Sequence, residues 1–449
     1  MAKRSSGLLI AVSVVILELI GGMQSYLNQL ILPIMAQDLD AQSSYGVVLG
    51  VSTIASMAGL PIGAALMNRI LLSRLLLSAT ALLVVGAVTS ALAPHIVVYI
   101  MGAFIRGLAG SILAMTSIGA VALGLSGRAR QLTLAFSSAS WVISSVVGPT
   151  YAAWVTHLLS WRWAMILYLP LLILARIVVA LNLKNHDTKN DAPLSLVVLF
   201  LIITGVGLTI IPAAGAFKII LLLLGLVILG RAAVLLMPEG TFIKRTPRRA
   251  ALSGMFFLTG SYFVANELVS LTVHDIFHVG AESLGYILTG GGLAWAVLGV
   301  FCGAKPATTK RSYRIRSSIG MALLVTSSSV IVAWLVFQWG HWSPTVVFVI
   351  LWSTAGVGMG LTYLDTMNIF FEDPAISDGI TIEEMASSSV IVESLSSTMF
   401  IPLTTSIVAM AFNDNESTGR LAYEISWVIV VMLACVAVYY LKRAEPARS

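Results

Sequence analysis

Charged residues are scarce in this sequence. Only 10% of its 449 residues are Asp, Glu, Lys or Arg, against about one quarter in soluble domains, so a soluble globular protein is excluded. The two cysteines, Cys302 and Cys435, lie far apart in apolar runs and indicate neither a disulfide framework nor a metal site. We expect no two of the six histidines to share a catalytic site, and no phosphate-binding Gly-rich loop with Lys-Ser/Thr occurs. We therefore expect no enzyme, no metal and no cofactor.

Long apolar runs dominate what is present. Hydrophobic residues make up 58% of the chain, and the mean hydropathy is +0.95. Many runs reach the roughly 20 residues that a helix needs to cross a bilayer, whereas barrel strands would be short and alternating. The sequence predicts an all-α integral membrane protein with fourteen spans: 8–36, 44–66, 75–93, 96–124, 131–157, 162–183, 194–213, 217–237, 251–275, 283–303, 317–338, 344–368, 385–412 and 424–441.

The basic residues between the spans are distributed unequally. With fourteen spans, twenty of them fall in alternate loops and tails, and only Arg162, Lys218 and Arg420 fall in the other loops. By the positive-inside rule, this predicts a multi-pass protein of the plasma membrane with both termini cytoplasmic. The net charge of +6 then reflects topology and contact with lipid headgroups, and we expect no nucleic-acid partner. The acidic loop at 372–384 is either solvated or in contact with a basic cytoplasmic loop.

Faint internal similarity relates the two ends of the chain. Ser44-Tyr45-Gly46 opens a glycine-rich helix, as Leu284-Gly285-Tyr286 does later, and 107–111 and 356–360 are both glycine-rich. Such repeats are typical of duplicated transporters. We predict a bundle at 1–184, two inserted helices with a cytoplasmic linker at 185–249, and a second bundle at 250–449.

Three segments carry a family pattern. The fifth predicted span reads Ser144-Ser145-Val146-Val147-Gly148-Pro149-Thr150-Tyr151-Ala152-Ala153, with small residues around Gly-Pro. The sixth begins with Trp161-Arg162-Trp163, and the fourth carries Arg106 followed by Gly107 and Gly110. A proline bends a helix, and small neighbours let another helix approach closely.

In these segments the chain resembles the drug/proton antiporter branch of the major facilitator superfamily, and its fourteen spans resemble the multidrug exporters of that branch. The resemblance implies a major facilitator fold with two six-helix bundles and two additional central helices, which exposes a shared site to each side in turn. It also implies that Gly148, Pro149, Ala152 and Ala153 form the antiporter motif. The sequence departs from the family in two places. Asn68 or Met67 stands where the family has an aspartate, and Gln24 lies nine residues before Pro33, where exporters place an acidic residue.

Ionisable groups inside spans are costly, so each indicates a function. Glu18 lies about 15 Å into the first span, near its middle, and suits either proton coupling or a cargo cation, or else a structural hydrogen bond. Glu267 is a second candidate for titration or cargo contact, or an outer-vestibule residue. Arg106 is predicted to relay protons or to support structure through a carboxylate or the backbone near the bend of the fifth span.

Uncharged polar and aromatic side chains complete the predicted site. Facing lipid would be unfavourable for the polar ones, so we expect them to face a mainly apolar cleft suited to amphipathic cargo. The predicted substrate-binding residues are Gln24, Tyr26, Asn28, Asn266, Trp141 and Trp295. Other charges receive no role: Asp365 and Glu393 are interpreted as solvated, Arg176 and Arg231 as reaching water from the span ends, and His274 and Asp275 as outer-face residues.

The sequence thus predicts a monomeric, proton-coupled antiporter that exports hydrophobic, amphipathic or cationic small molecules. A transporter of a lipid or lipid-linked metabolite with the same fold is the alternative. Uptake of a sugar or other nutrient, and a membrane-embedded enzyme or receptor, are less favoured.

Overall fold

The computed structural model describes residues 2–67, 69–124, 127–182, 196–212, 215–244, 246–338, 342–371, 379–380, 382–410 and 416–446, with side chains omitted at 2–8, 61, 64, 118–124, 127–132, 134–139, 141–142, 382–384, 386–387, 390 and 416–418. Its described elements are helices, and no strand occurs among them. The α-helices are α1 Ala2–Asp38, α2 Tyr45–Met67, α3 Leu72–Ala91, α4 Ile96–Gly124, α5 Gly127–Leu158, α6 Trp161–Ala164, α7 Leu169–Asn182, α8 Leu196–Ile210, α9 Gly215–Leu236, α10 Pro247–Asp275, α11 Ala281–Ala304, α12 Lys310–Phe337, α13 Pro344–Phe370, α14 Ile382–Met410 and α15 Glu416–Leu441.

Each predicted span overlaps a helix, the sixth overlapping two, and the all-α membrane fold class is confirmed. By length and composition, twelve segments of the described chain can cross a membrane. Helix α8, with 15 residues, is shorter than the roughly 20 that a crossing needs. Helix α5 is long enough, but many of its side chains lie outside the described set.

Several helices begin or end some residues away from the predicted bounds, and two of these departures have an identifiable reason. The sixth span is divided into α6 and α7, because Pro170 lacks an N–H and favours a break before it. Helix α12 begins seven residues before the predicted 317, since Thr309 caps it by accepting a hydrogen bond from the Ser312 amide at 3.2 Å. Hydropathy marks only the apolar part of such a helix, so its polar first turns were missed.

The chain divides into two compact units. One comprises 1–41 and 51–199, and the other 42–50 and 200–449, so the first turns of α2 belong to the second unit. In the first unit α1 packs on α4, α5 and α7, and α3 packs on α4 and α7. In the second unit α10 packs on α13, α14 and α15, and α12 packs on α13 and α15. The same set of pairings therefore recurs in both units. The predicted boundaries at 184 and 249 stay predictions.

Glycines allow close helix contacts in each unit. A Cβ at Gly107 of α4 would lie 2.7 Å from the Ser52 carbonyl oxygen of α2. In the second unit, a Cβ at Gly356 of α13 would lie 2.2 Å from the Gly291 carbonyl oxygen of α11. Only glycine allows backbones to approach so closely, as at other helix interfaces in membranes.

The tail after α15 is held by an ion pair. Glu445 accepts a hydrogen bond from Arg314, and Lys310 lies 3.6 Å away. The hydrogen bond from Arg314 and the two positive charges hold the pKa of Glu445 below its usual range. The tail is thereby tied to the start of α12.

Candidate functional site

The first unit is organised around a close contact between α1 and α5. Ser140 and Ser144 donate to the carbonyl oxygens of Val15 and Leu19, at 3.3 and 2.8 Å. One turn further on, a Cβ at Gly148 would lie 3.0 Å from Tyr26 Cβ. These small residues recur every four positions, so they form one stripe along α5 that lies against α1. Ala152 continues the stripe and is fully buried.

The predicted antiporter motif is thus the part of α5 that contacts α1. Gly148 and Pro149 are buried, and α5 stays one continuous helix through the proline. Ala152 and Ala153 are buried as well. Their proposed role in antiport stays a prediction.

Glu18 lies on α1 between Val15 and Leu19, whose carbonyl oxygens accept the hydrogen bonds from the α5 serines. It is half-buried, and it interacts electrostatically with Arg176 of α7. Arg176 is only 8% exposed and donates from Nη1 to Ser117 Oγ of α4 at 2.7 Å. The interpretation of Arg176 as a residue that reaches water was therefore wrong. Sequence position suggested a helix end, whereas the helix face that carries Arg176 points into the unit.

Arg106 is the centre of a second polar group. Its Nη1 donates to Asn28 Oδ1 of α1 at 3.1 Å, and its guanidinium lies 6.0 Å from the centre of the Tyr99 ring. Gln24, also on α1, forms a hydrogen bond with Tyr168. The acceptor found for Arg106 is thus an amide of α1 and not the predicted carboxylate or backbone near the α5 bend. The structure brings together Arg106, Gln24 and Asn28, while the predicted Tyr26 packs against Gly148.

The Trp-Arg-Trp segment joins three helix ends. Arg162 pairs with Asp38 at the end of α1, with Nη1 2.6 Å from Oδ2, and donates to the Ala93 carbonyl oxygen at 3.2 Å. Trp161 also donates to Asp38, at 3.1 Å, and lies under the guanidinium of Arg162. These contacts hold three helix ends together, so the motif has a structural explanation that requires no role in transport.

The second unit contains an aromatic cluster. Tyr262 of α10 stacks on Trp352 of α13 with ring centres 4.9 Å apart, and Trp295 of α11 meets Tyr262 edge-on at 5.3 Å. Trp295 also contacts Phe263 and Tyr363, at 6.1 and 6.3 Å. Trp295 and Phe263 are half-buried, so part of their surface remains open. Of the predicted residues, Trp295 belongs to this cluster.

A carboxylate borders the cluster. Tyr363 donates a hydrogen bond to Glu393 of α14, which is half-buried. Glu267 is half-buried and follows Phe263 by one turn of α10, and its neighbour Asn266 is 9% exposed. The solvated interpretation of Glu393 was therefore wrong, because its partner is a tyrosine on the neighbouring helix. The side chain of Trp141 lies outside the described set.

Two further acidic residues have hydrogen-bond partners within the second unit. Asp365 is 2% exposed, accepts from the Ala307 amide at 2.9 Å and pairs with Arg316 at 3.2 Å. Asp275 accepts from Tyr45 at 3.2 Å and from Tyr423, and lies 2.8 Å from Nδ1 of His274. The solvated interpretation of Asp365 was thus wrong, and the side chain of Asp275, which is only 5% exposed, is an acceptor for two tyrosines. In the sequence, the one sign of the pairing with Asp365 was a basic residue, Arg316, close to the start of α12.

Fold and side-chain chemistry together define a class of protein. Polar groups lie within apolar helices that suit a membrane, and within the described residues no group of three His, Cys, Asp or Glu could hold a metal. This is a multi-pass membrane protein. The family model of the Major Facilitator Superfamily matches residues 14–374, and the chain belongs to that family of transporters, which are not enzymes.

Two relatives are informative. The multidrug efflux pump SdrM of Staphylococcus aureus (strain N315) is 22% identical over 176 residues, and the match spans 39% of each chain. The crystal structure of a bacterial homologue of the human lysosomal transporter Spinster, in an inward-facing and occupied conformation, matches with a TM-score of 0.66. It is 10% identical, and the match covers 99% of this chain and 97% of that one, which shows the shared fold.

Proposed function

We propose that this transporter is a proton-coupled antiporter of the plasma membrane, with cytoplasmic termini, that exports hydrophobic or amphipathic small molecules, cationic ones included. The observation that supports the proposal most is the position of Glu18. This carboxyl group lies within a membrane helix, next to Leu19, whose carbonyl oxygen accepts from Ser144 of the α5 stripe, and it interacts electrostatically with the buried Arg176.

Proton exchange requires a group whose two charge states are close in free energy. In general, apolar surroundings disfavour a charged carboxylate and a nearby positive charge favours it, and Glu18 lies in an apolar helix within reach of the charge of Arg176. Small changes in water access can therefore shift the balance, as a coupling group must allow. Arg106, joined to α1 through Asn28, is the accompanying proton-relay or structural residue.

The class of cargo is inferred from the second unit. Trp295 and Phe263 offer apolar aromatic surface, and Glu393 places a carboxyl group beside Tyr363 of the same cluster. Aromatic faces attract cations and also bury apolar groups, which suits amphipathic cations. The similarity to a multidrug efflux pump supports the same class.

The proposal is tested by efflux of a cationic dye from cells, with and without a proton uncoupler. We expect wild-type efflux to stop when the uncoupler is added. Glu18→Gln keeps the shape of the side chain but cannot exchange a proton, so its active efflux should fall to the level of cells without the transporter.

Glu282→Gln is the matched control, because Glu282 is an exposed carboxylate at the start of α11. It should export dye as wild type does. Equal uncoupler-sensitive efflux by Glu18→Gln and wild type at equal expression would exclude Glu18 from coupling. Absence of any dye efflux by folded wild-type protein would favour the alternative cargo, a lipid or lipid-linked metabolite.

A further inference from the structure

A small cavity lies in the second unit, away from the aromatic cluster. It has a volume of about 140 Å³, is partly open, and is lined by the start of α2, the ends of α8 and α14, and the first turn of α9. A cavity of roughly 150 Å³ can hold a molecule of the size of benzene. Its polar lining comes from Ser43, Ser44, Lys218 and Ser406.

Lys218 supplies a positive charge within the cavity wall. It is only 4% exposed, and Nζ donates to the carbonyl oxygens of Thr209 and Ile211, at 2.7 and 2.9 Å. An ammonium group has three hydrogens, so one donor remains after these two bonds. Among the described lining residues, none is acidic. The charge of Lys218 thus has no carboxylate in the cavity.

Ser406 of α14 is the second observation that indicates a ligand. It is 3% exposed and lines the cavity, yet its hydroxyl has no hydrogen-bond partner within the described chain. Gly46 permits this placement, because a Cβ there would lie 2.4 Å from Ser406 Oγ. A buried hydroxyl is normally hydrogen-bonded, so an unpaired one calls for a partner.

The start of α2 adds a third favourable group. Helix α2 is 23 residues long, and its amino-terminal end, with Ser43 and Ser44 beside it, borders the cavity. The amino-terminal end of a helix carries a partial positive charge and stabilises anions, phosphate in particular. A lysine, a helix start and an unpaired serine therefore all face one space.

We propose that this cavity binds a phosphate group, either in the headgroup of an anionic lipid or as free phosphate. The phosphate oxygens accept hydrogen bonds from the Ser406 hydroxyl and the remaining Lys218 hydrogen. The site is independent of proton coupling and of the aromatic cluster, so it can be tested separately from the proposed function.

The test is calorimetric titration of the purified full chain in an uncharged detergent. The two probes are dihexanoyl phosphatidylglycerol and inorganic phosphate. Ser406→Ala removes one hydrogen bond to a charged group, so we expect phosphatidylglycerol to bind about tenfold more weakly. Lys218→Gln should weaken binding at least as much, and Ser406→Ala keeps the proposal testable if Lys218→Gln does not fold.

The controls match each change. Ser270 of α10 is also buried without a partner in the described chain, but it does not line the cavity, so Ser270→Ala should bind as wild type does. Lys442→Gln removes an exposed positive charge and should have no effect. Binding of phosphatidylglycerol alone would identify a lipid site, and binding of both probes would identify a free phosphate site. Equal binding by wild type and Ser406→Ala, or equal weakening by Ser270→Ala, would overturn the proposal.

Discussion

At the scale of single residues, the structure changes the status of several charges. Arg176, Asp365 and Glu393 each have a partner on another helix. A charge in a membrane helix must find such a partner or reach water. Sequence analysis located the charges but predicted that all three side chains reach water. Position along a span does not reveal which face of the helix is turned inward.

Arg176 offers a residue-scale prediction. Arg176→Met leaves the Ser117 hydroxyl and the Glu18 carboxylate without this cation, so the free energy of unfolding should fall by about 1–3 kcal/mol. Thermal unfolding in detergent measures it. Adding Glu18→Gln removes the carboxylate charge that has lost its cation, and the double variant should lose less than the sum of both changes.

The control for this prediction is Arg231→Met, because Arg231 is exposed on α9. It should change stability by no more than about 0.5 kcal/mol. Equal losses in Arg176→Met and Arg231→Met would show that the buried arginine contributes nothing beyond its surface counterpart.

At the scale of helices, small residues decide which pairs meet. The α5 stripe of Ser140, Ser144 and Gly148 lies on α1, and glycines join α11 to α13. The sequence already marked 144–153 and 356–360 as rich in small residues. It did not reveal their partner helices, because a small residue signals a close approach without naming the neighbour.

Gly356 gives the element-scale prediction. In Gly356→Ala the methyl group would overlap the Gly291 carbonyl oxygen, so α11 and α13 must separate. We expect a loss of about 1–3 kcal/mol in the free energy of unfolding. The apparent melting temperature of the purified protein reports this loss.

Gly299→Ala of α11 is the matched control. Its methyl group would meet only Leu364 Cδ1, at 3.8 Å, which is ordinary contact. A helix generally gains about 0.5–1 kcal/mol when alanine replaces glycine, so this variant should be as stable as wild type or more stable. A Gly356→Ala protein as stable as Gly299→Ala would argue against the close packing of α11 on α13.

At the scale of the whole molecule, two units share one pattern of helix pairing. The pairs of α1 and α3 in the first unit correspond to those of α10 and α12 in the second. Such a repeat is typical of transporters whose halves arose by duplication. Orientation in the membrane is a separate question, which the distribution of Lys and Arg addresses.

Topology is the prediction at this scale. In a variant with Cys302 and Cys435 replaced by alanine, an impermeant maleimide added to intact cells should label His95→Cys, which is exposed between α3 and α4. Arg311→Cys, at the exposed start of α12, should be labelled only after permeabilisation. Labelling of both in intact cells, or the reverse order, would contradict cytoplasmic termini.

The order and approximate positions of the helices follow from local sequence alone, since a membrane span is defined by the length of an apolar run. The segments that matter, such as 144–153 and the region of Glu18, are also visible in sequence, because polar and small residues stand out in apolar helices. The sequence does not reveal which residues contact each other. Arg106 with Asn28, Tyr363 with Glu393 and the space between Lys218 and Ser406 join residues far apart in the chain. Such pairs depend on how each helix is rotated against its neighbours, and that rotation arises only when the helices pack.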